Sequence, residues 1–434
     1  MKKITGLNTI LVFIFFLSFT SCKKDYGNLN NPTIEDFLNN ATRDKLNNLV
    51  SGTLSGMRNN EGLYLDVTGV VGREIYRFSG ADPRYVTDLL GGGSSVLNNT
   101  GFYITNPWAS RYRVVKNCNV LIQAAANSTL ISDAEKKGYA GFAKTIKAYD
   151  LLLNLNLTYT NGVRIEVADP ENPGPIVGHT ESLNAISALL NDAETDLTGA
   201  TIIYPLTSGF SGFSNAAGFI KFNRALAARV DVYRKQWSNA LTDLNKSFFD
   251  LNGNFNTGIS HVFGTGSGDQ LNPAFFPQNQ TGEVRLAEPS FATNIEAGDS
   301  RIGKAVLRNS PTSSSGLTGN RDVWVYTSST APVPIIRNEE LILIYAEANI
   351  QLNNLVNAVN AINIIRRGHN LADYSGAVTQ TALINEMLKQ RRYSLFFEGH
   401  RWVDMRRYSK LNELPLSRAG DDVWEAFPLP LTEN

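Results

Sequence analysis

The chain has 434 residues and a formal net charge of zero, with 40 basic and 40 acidic side chains. A protein that binds nucleic acid needs a basic surface, and this composition offers none in bulk. The hydrophobic fraction of 42% is too high for a generally disordered chain, and the length exceeds that of one compact core. We therefore expect an ordered protein with two lobes or an extended architecture.

The N-terminus has the pattern of a secretory signal that ends in a cysteine. Lys2 and Lys3 precede an apolar run over residues 10–17, which is too short to span a bilayer but has the length of a signal-peptide core. Weakly polar residues then lead to Cys22, as in bacterial lipoproteins. We predict a signal peptide over residues 1–21 and lipidation of Cys22.

Acyl chains on Cys22 would attach the chain to a membrane, because each buried methylene contributes about 0.8 kcal/mol. The tract Lys23-Lys24-Asp25 resembles the surface-export signal of Bacteroidetes lipoproteins. Residues 22–33 are then the lipidated N-terminus and linker, and residues 34–434 form the folded domain.

Apolar residues recur at helical spacing in several separated parts of the domain. Two sets lie on single helix faces, namely Ile146, Tyr149, Leu153 and Leu157, and Leu183, Ile186, Leu190, Ala193 and Leu197. Two helical hairpins follow, over residues 222–233 with 237–248 and over residues 341–352 with 355–365. Amphipathic helices of this kind bury their apolar faces by stacking. The pattern predicts an all-α-dominated framework of tetratricopeptide-like hairpins, spaced too irregularly for the strict repeat.

Two stretches, at about 62–107 and 251–330, interrupt the helical pattern. The second is rich in Gly, Ser, Asn, Thr and Pro. Long polar segments inside an ordered protein usually carry function or pack as an irregular subdomain. We predict that they are irregular insertions whose long loops form a second lobe.

The C-terminal block, at about 337–430, is the most recognisable part of the chain. The segments RNEELILIYAEA (337–348), INIIR (362–366) and QRRYSLFFEGHRWVDMRR (390–407) occur there in order. This order closely resembles the RagB/SusD family of outer-membrane nutrient-binding lipoproteins. Residues 108–119 and 144–157 match earlier helices of the family, so the resemblance covers nearly the whole chain after Cys22.

The resemblance implies a SusD-like fold and a role in uptake. Family members lie on the cell surface over a SusC-like TonB-dependent outer-membrane transporter, capture an oligosaccharide or polysaccharide and pass it on. Some relatives of the RagB type bind peptides instead, and a helical scaffold that holds a transporter complex without cargo is a further alternative. The resemblance thus implies an outer-membrane protein that is lipid-anchored and exposed at the cell surface.

Aromatic residues in the irregular stretches are the candidate ligand-binding groups, because sugars stack their flat CH faces on aromatic rings. Neighbouring polar and charged side chains would fix the hydroxyls. The candidates are Tyr76, Arg77, Asp82, Arg84, Tyr85, Trp324 and Tyr326. Packing within the loop is the simpler explanation for the first five, and Trp324-Val325-Tyr326 also fits a short strand with one buried face.

The charged residues of the C-terminal block look chemical but fit a structural interpretation better. Arg391 and Glu398 lie about two helical turns apart, and Gly399 would end that helix. Arginine and glutamate can be buried when they are paired, so we interpret this block as a buried network of ion pairs.

Neither catalysis nor a resident cofactor is indicated. A glycosidase needs two carboxylates about 5 to 10 Å apart across a sugar, and nothing in the sequence pairs Asp82, Asp88, Glu288 or Glu296. No two of the four histidines stand at zinc-ligand spacing on one helix. The pattern leaves open a structural calcium ion held by loop oxygens. We expect a binding protein that is not an enzyme.

Overall fold

The structure is a computed structural model that describes residues 34–169 and 171–433. The predicted signal peptide, the lipidation site at Cys22 and the linker up to residue 33 lie outside the described residues. Among the residues described, no helix has both the length and the apolar character needed to cross a membrane.

Helices dominate the structure, and most of them pack against their neighbours in sequence. The first group consists of α1 (Ile34–Leu38), α2 (Arg43–Met57), α3 (Glu61–Val71), α4 (Phe102–Asn127), α5 (Asp133–Thr158), α6 (His179–Leu197), α7 (Ala216–Tyr233) and α8 (Trp237–Lys246). The second consists of α9 (Ser290–Thr293), α10 (Asn338–Gln351), α11 (Leu355–Gly368), α12 (Gln380–Ser394) and α13 (Arg401–Arg407). The helix-rich framework predicted from the periodicity is confirmed.

Consecutive helices from α4 to α8 pack one on the next, and α10 packs on α11 in the same way. Helix α10 also contacts α8 and α12, which joins the two groups. The local signals are strong: Ser132 and Glu135 form a capping box that starts α5, and Lys235 adopts a left-handed φ of 59° between α7 and α8. The predicted break between these two helices lies at this turn.

A small set of strands lies outside the helical framework. They are β1 (Ile75–Phe78), β2 (Val163–Arg164), β3 (Ile176–Val177), β4 (Gly258–His261), β5 (Val284–Ala287), β6 (Ala305–Ser314), β7 (Leu317–Val323) and β8 (Val333–Arg337). Four of them form an antiparallel sheet in the order β1-β5-β7-β6, and β2 with β3 and β4 with β8 form two-stranded pairs.

The four-stranded sheet brings the two predicted insertions together, because β1 belongs to the first and its partners belong to the second. The first insertion is less irregular than predicted, since α3 occupies Glu61–Val71 and α4 begins at Phe102. Ten of the eleven residues of α3 are buried, so this helix has no polar face and shows no amphipathic period.

Several arginines and acidic residues of the C-terminal block are buried and paired, as interpreted from the sequence. The partners, however, come from different elements. Helix α12 ends at Ser394, before Glu398, because Phe397 and Gly399 both adopt positive φ and turn the chain. Arg391 therefore pairs with Asp404 at 2.6 Å, and Glu398 pairs with Arg337 at 2.9 Å.

Candidate functional site

Two arginines meet across adjacent strands of the four-stranded sheet. The antiparallel register of β1 and β5 places Arg77 opposite Arg285. Both guanidiniums bind the buried carboxylate of Asp66 on α3, at 2.5 Å from Arg285 Nε to Oδ1 and at 3.3 Å from Arg77 Nε to Oδ2. Glu283 accepts a further hydrogen bond from Arg77. The two buried cations are thus matched by two carboxylates, as buried charges require.

The same arginines hold aromatic rings. The guanidinium carbon of Arg285 lies 3.8 Å from the ring centroid of Phe276, and that of Arg77 lies 4.8 Å from the same centroid. Arg77 is also 4.9 Å from the ring centroid of Tyr85, so it lies between the two rings. Cation–π contacts of this kind contribute about 0.5–2 kcal/mol each and fix the ring orientation.

Further rings extend this arrangement on both sides. Phe102, at the start of α4, packs edge-on against Tyr85 with 5.0 Å between ring centroids. Phe275 packs against Trp324, which directly follows β7, with 6.0 Å between centroids. All five rings are half-buried. We call them the aromatic ledge: Tyr85, Phe102, Phe275, Phe276 and Trp324.

A charged pair lies beside the ledge. Asp82 caps the single 3₁₀ turn Pro83–Tyr85 by accepting a hydrogen bond of 3.0 Å from the Arg84 amide. Its carboxylate also binds the Arg84 side chain at 2.6 Å, and the hydrogen bonds from Arg84 lower the pKa of Asp82. The Arg84 guanidinium lies 4.7 Å from the ring centroid of Phe102. The ledge therefore combines partly exposed apolar rings with charged groups that can donate to and accept from a polar ligand.

Burial raises the pKa of Tyr85 to about 12. Its hydroxyl therefore stays protonated over the physiological range and keeps its capacity to donate a hydrogen bond.

Two of the seven residues predicted to bind ligand lie away from the ledge. Tyr76 is 2% exposed and shares a 2.6 Å hydrogen bond with Ser417 Oγ. Tyr326 is 3% exposed, and its hydroxyl donates to the carbonyl oxygen of Phe397 at 3.3 Å. In this structure both side chains belong to the core. The other five predicted residues lie on the ledge, beneath it or beside it.

Tyr326 instead lines a polar cavity of about 780 Å³ between β8, the ends of α10 and α11 and the loop around Phe255. Its charges are matched internally. Arg337 pairs with Glu339 and with Glu398, and the imidazole of His369 lies 2.5 Å from Glu339. Lys304, which also lines the cavity, lies 4.0 Å from Glu398. Among the described residues, each charged side chain of this cavity therefore has a partner of opposite charge.

Within the described ranges, no group of three or more His, Cys, Asp or Glu side chains is arranged to hold a metal ion. The carboxylates of the ledge region are bound to arginines rather than to one another. The chemistry of the site is therefore that of stacking and hydrogen bonding.

Both the sequence and the fold of this chain resemble those of known proteins. The sequence profile of the SusD family matches residues 275–423. A SusD superfamily protein from Bacteroides vulgatus shares the fold over 90% of this chain and 96% of its own, with a TM-score of 0.70 and 16% sequence identity. The chain has a SusD-like fold. The family resemblance of the C-terminal block is thereby confirmed.

Two other solved structures share the fold of the SusD-like chain. NanU of Bacteroides fragilis matches over 90% of this chain and 94% of its own, with a TM-score of 0.65 and 16% identity. Surface glycan-binding protein A from Bacteroides thetaiotaomicron, solved in complex with laminarihexaose, matches over 91% and 97%, with a TM-score of 0.70 and 13% identity. No curated protein sequence matches this one. At sequence identities this low, the structural matches establish a common fold and nothing more.

Three ledge residues of the SusD-like chain, Phe102, Phe275 and Phe276, were missed by sequence reasoning. A signal for two of them exists, because Phe275-Phe276 is followed by Pro277 inside a segment rich in Asn, Gln and Gly. Two adjacent bulky aromatics in a polar segment cannot both enter a core on the same side. Phe102 gave no such signal, since it begins a helix whose other aromatic residues are largely buried.

Proposed function

We propose that this SusD-like chain is a cell-surface lipoprotein that binds an oligosaccharide or polysaccharide and delivers it to a SusC-like TonB-dependent transporter. The observation that carries the proposal is the aromatic ledge. Sugars present flat apolar CH faces that stack on rings, while neighbouring polar groups bind the hydroxyls. The laminarihexaose complex of the Bacteroides thetaiotaomicron protein, which has the same fold, supports a glycan as the ligand class.

The geometry of the ledge suits a ligand longer than one sugar. Phe102 and Tyr85 form one pair of rings, and Phe275 and Trp324 form another. Phe276, held by both arginines, directly follows Phe275 in the chain. Several platforms bind several sugar units at once, which raises affinity through multiple weak contacts.

We propose binding without cleavage. A glycosidase needs one carboxylic acid that keeps its proton near neutral pH and a second carboxylate that faces it across the sugar. Asp82 is bound by Arg84, which lowers its pKa. Burial raises the pKa of Glu283, but hydrogen bonds from Ser79 and Arg77 outweigh burial and leave it below its usual value. Both groups are therefore ionised and already paired, so neither is suited to act as a general acid.

The delivery part of the proposal rests on the family resemblance and on the predicted anchor at Cys22. A lipid-anchored binding protein raises the local concentration of its ligand beside a transporter in the same membrane. Apart from Phe102 at the start of α4, the helical framework lies outside the ledge, and we propose that it provides a separate surface for the transporter. The proposed partner is therefore a SusC-like barrel, and the proposed location is the outer surface of the outer membrane.

The experiment is a thermal-shift screen of the chain from residue 23 onward against plant, host and microbial oligosaccharides and against a peptide pool. A ligand that binds the native state raises the melting temperature by mass action. We expect stabilisation by one glycan class, with affinity then measured by calorimetry. Trp324→Ala should weaken this binding about thirtyfold, because a central aromatic contact contributes about 2 kcal/mol.

Trp237→Ala is the matched control, since Trp237 is a half-buried tryptophan on α8, outside the ledge. It should leave glycan affinity unchanged. Stabilisation by peptides alone would replace the glycan with a peptide cargo of the RagB type. Capture of the transporter without any ligand-dependent shift would leave a scaffold role in place of the binding role.

A further inference from the structure

A second cavity, of about 370 Å³, opens between α12, α13 and the end of α9, and it shares no residue with the aromatic ledge. Its charged lining consists of four basic side chains and one acidic side chain, Glu413. We call it the basic pocket, and the side chains that define it are Asn294, Asn385, Lys389, Arg392, Arg401 and Lys410. The volume falls at the lower end of the range of about 300–1,000 Å³ that is typical of small-molecule sites.

Two of the four cations of the basic pocket have carboxylate partners. Lys389 Nζ lies 2.9 Å from Glu296, and Lys410 Nζ lies 2.5 Å from Glu413. These lysines contribute little net charge to a ligand, although their remaining protons can still donate hydrogen bonds.

The two arginines are different. Arg392 donates a 2.7 Å hydrogen bond to the hydroxyl of Ser290, which is neutral. Arg401 makes no side-chain hydrogen bond to any residue that the structure describes, and its Nε is buried without a partner among them. In the part of the chain that the structure describes, neither guanidinium forms an ion pair with a carboxylate, whereas many other buried arginines here do.

No nearby carboxylate compensates for the missing ion-pair partner of Arg401 among the residues described. Burial first, and then the positive charge of Arg392, lower the pKa of Arg401 to about 10. Glu74 is the carboxyl that acts most strongly on Arg401, but burial raises its own pKa to about 8. At neutral pH Glu74 is therefore mostly protonated and does not neutralise the arginines. Asp404, the next carboxylate, is already bound by Arg391 and Arg407.

We infer that the basic pocket is a binding site for a small organic anion, one that carries a carboxylate or sulfate group on a body of about monosaccharide size. Arg392 and Arg401 hold the anionic group, since planar guanidiniums bind such groups in bidentate fashion. Asn294 and Asn385 lie at the rim, where their amides bind hydroxyls, and Leu388 and Met405 supply an apolar wall. This site is separate from the ledge and does not depend on the ledge binding glycan.

The test is calorimetric titration of the full-length chain with glucuronate, inorganic sulfate and neutral glucose at constant ionic strength. We expect saturable binding of glucuronate with one site per chain and none of glucose. Arg392→Gln and Arg401→Gln should each weaken glucuronate binding at least tenfold, because each removes a charge-assisted contact. Arg392→Lys, which keeps the charge but loses the fork, should give an intermediate loss.

Arg367→Gln is the matched control. Arg367 lies on α11, outside the pocket, and is an exposed arginine that pairs with Asp373. The substitution should leave anion binding intact. Tighter binding of glucuronate than of sulfate supports an organic anion as the ligand. Equal binding of the two would show that the pocket recognises only the anionic group, which contradicts the organic part of the inference. Absence of saturable anion binding, or equal losses in Arg392→Gln and Arg367→Gln, would overturn the inference. Since Arg401 lies beside the core, Arg392→Gln keeps the test decisive if Arg401→Gln fails to fold.

Discussion

The guanidinium carbon of Arg285 lies 3.8 Å above the ring centroid of Phe276, while the same guanidinium binds Asp66 at 2.5 Å. A single side chain thus couples a buried ion pair to a partly exposed ring. The position of the ring on the surface therefore depends on the ion pair beneath it. Substitution of Asp66 tests the ion pair, and substitution of Phe276 tests the ring.

Replacing the buried carboxylate of Asp66 should lower the free energy of unfolding. Asp66→Asn leaves the guanidinium of Arg285 without its ionic partner, in a site where the side chains of Arg285 and Asp66 are only 4% and 3% exposed. Breaking a buried pair by removing one partner costs about 3–5 kcal/mol. Urea denaturation measures the change. Asp373→Asn, in the exposed pair with Arg367, should cost less than about 1 kcal/mol, and equal costs for both variants would contradict the assignment.

Removing the ring should affect binding more than stability. Phe276→Ala deletes a half-buried platform and its contacts with Arg77 and Arg285. We expect about tenfold weaker binding of the glycan found in the screen, with a small decrease in melting temperature. Calorimetry and thermal melting on the same sample distinguish the two effects. Unchanged affinity would remove Phe276 from the binding surface.

Tyr326→Phe should have the opposite profile. The substitution removes the hydroxyl that donates to the Phe397 carbonyl, and Tyr326 lies in the core rather than on the ledge. The expected cost in unfolding free energy is about 0.5–1.5 kcal/mol, with glycan affinity unchanged. Thermal melting and calorimetry measure the two quantities, and a loss of affinity without loss of stability would return Tyr326 to the site.

Acid should destabilise the protein partly through His261. Burial lowers the pKa of this imidazole from 6.5 to about 4, and its Nε2 has no hydrogen-bond partner within the described ranges. The unfolded chain binds the proton first, so the contribution to stability is full above pH 6.5 and is lost as the pH falls toward 4. His261→Phe removes this titration. Urea denaturation at several pH values should show a shallower decline for the variant between pH 6.5 and 4, and parallel curves would refute the role of this group.

Glu74 should act in the opposite direction. Burial raises its pKa from 4.5 to about 8, so the folded state keeps a proton that the unfolded state releases. Its contribution is full below pH 4.5 and is lost as the pH rises toward 8. Glu74→Gln should therefore gain stability relative to the unmodified chain across this interval. A constant difference between the two stability curves would show that the carboxyl titrates normally.

The helical framework was readable from the sequence where helices keep one polar face. Leu183, Ile186 and Leu190 lie on the buried side of α6, whose other side is exposed, so the period of 3.6 is visible. Helix α3 was not readable, because burial on nearly all sides removes the contrast between its faces. Strand pairing between β1 and β5 was equally invisible, since no local signal specifies a partner more than 200 residues away.

The aromatic ledge was anticipated in part. Tyr85 and Trp324 were recognised as aromatic residues in loops. Tyr76 and Arg77 are adjacent residues of β1 and point to opposite faces, and only the structure shows that Arg77 is the one that contacts the ledge. The residue types in a sequence can indicate which aromatic side chains are candidates for ligand binding. Which of these rings lie together can be seen only in the folded structure.

The link between Asp66 and Arg285 spans 219 positions of the chain. The ledge itself draws Tyr85 and Phe102 from the first quarter of the sequence and Trp324 from the last third. During synthesis, which proceeds from the N-terminus, the early rings must wait for most of the polypeptide to be made before their partners exist. A nascent or prematurely ended chain can form helical hairpins while it still lacks the complete aromatic ledge.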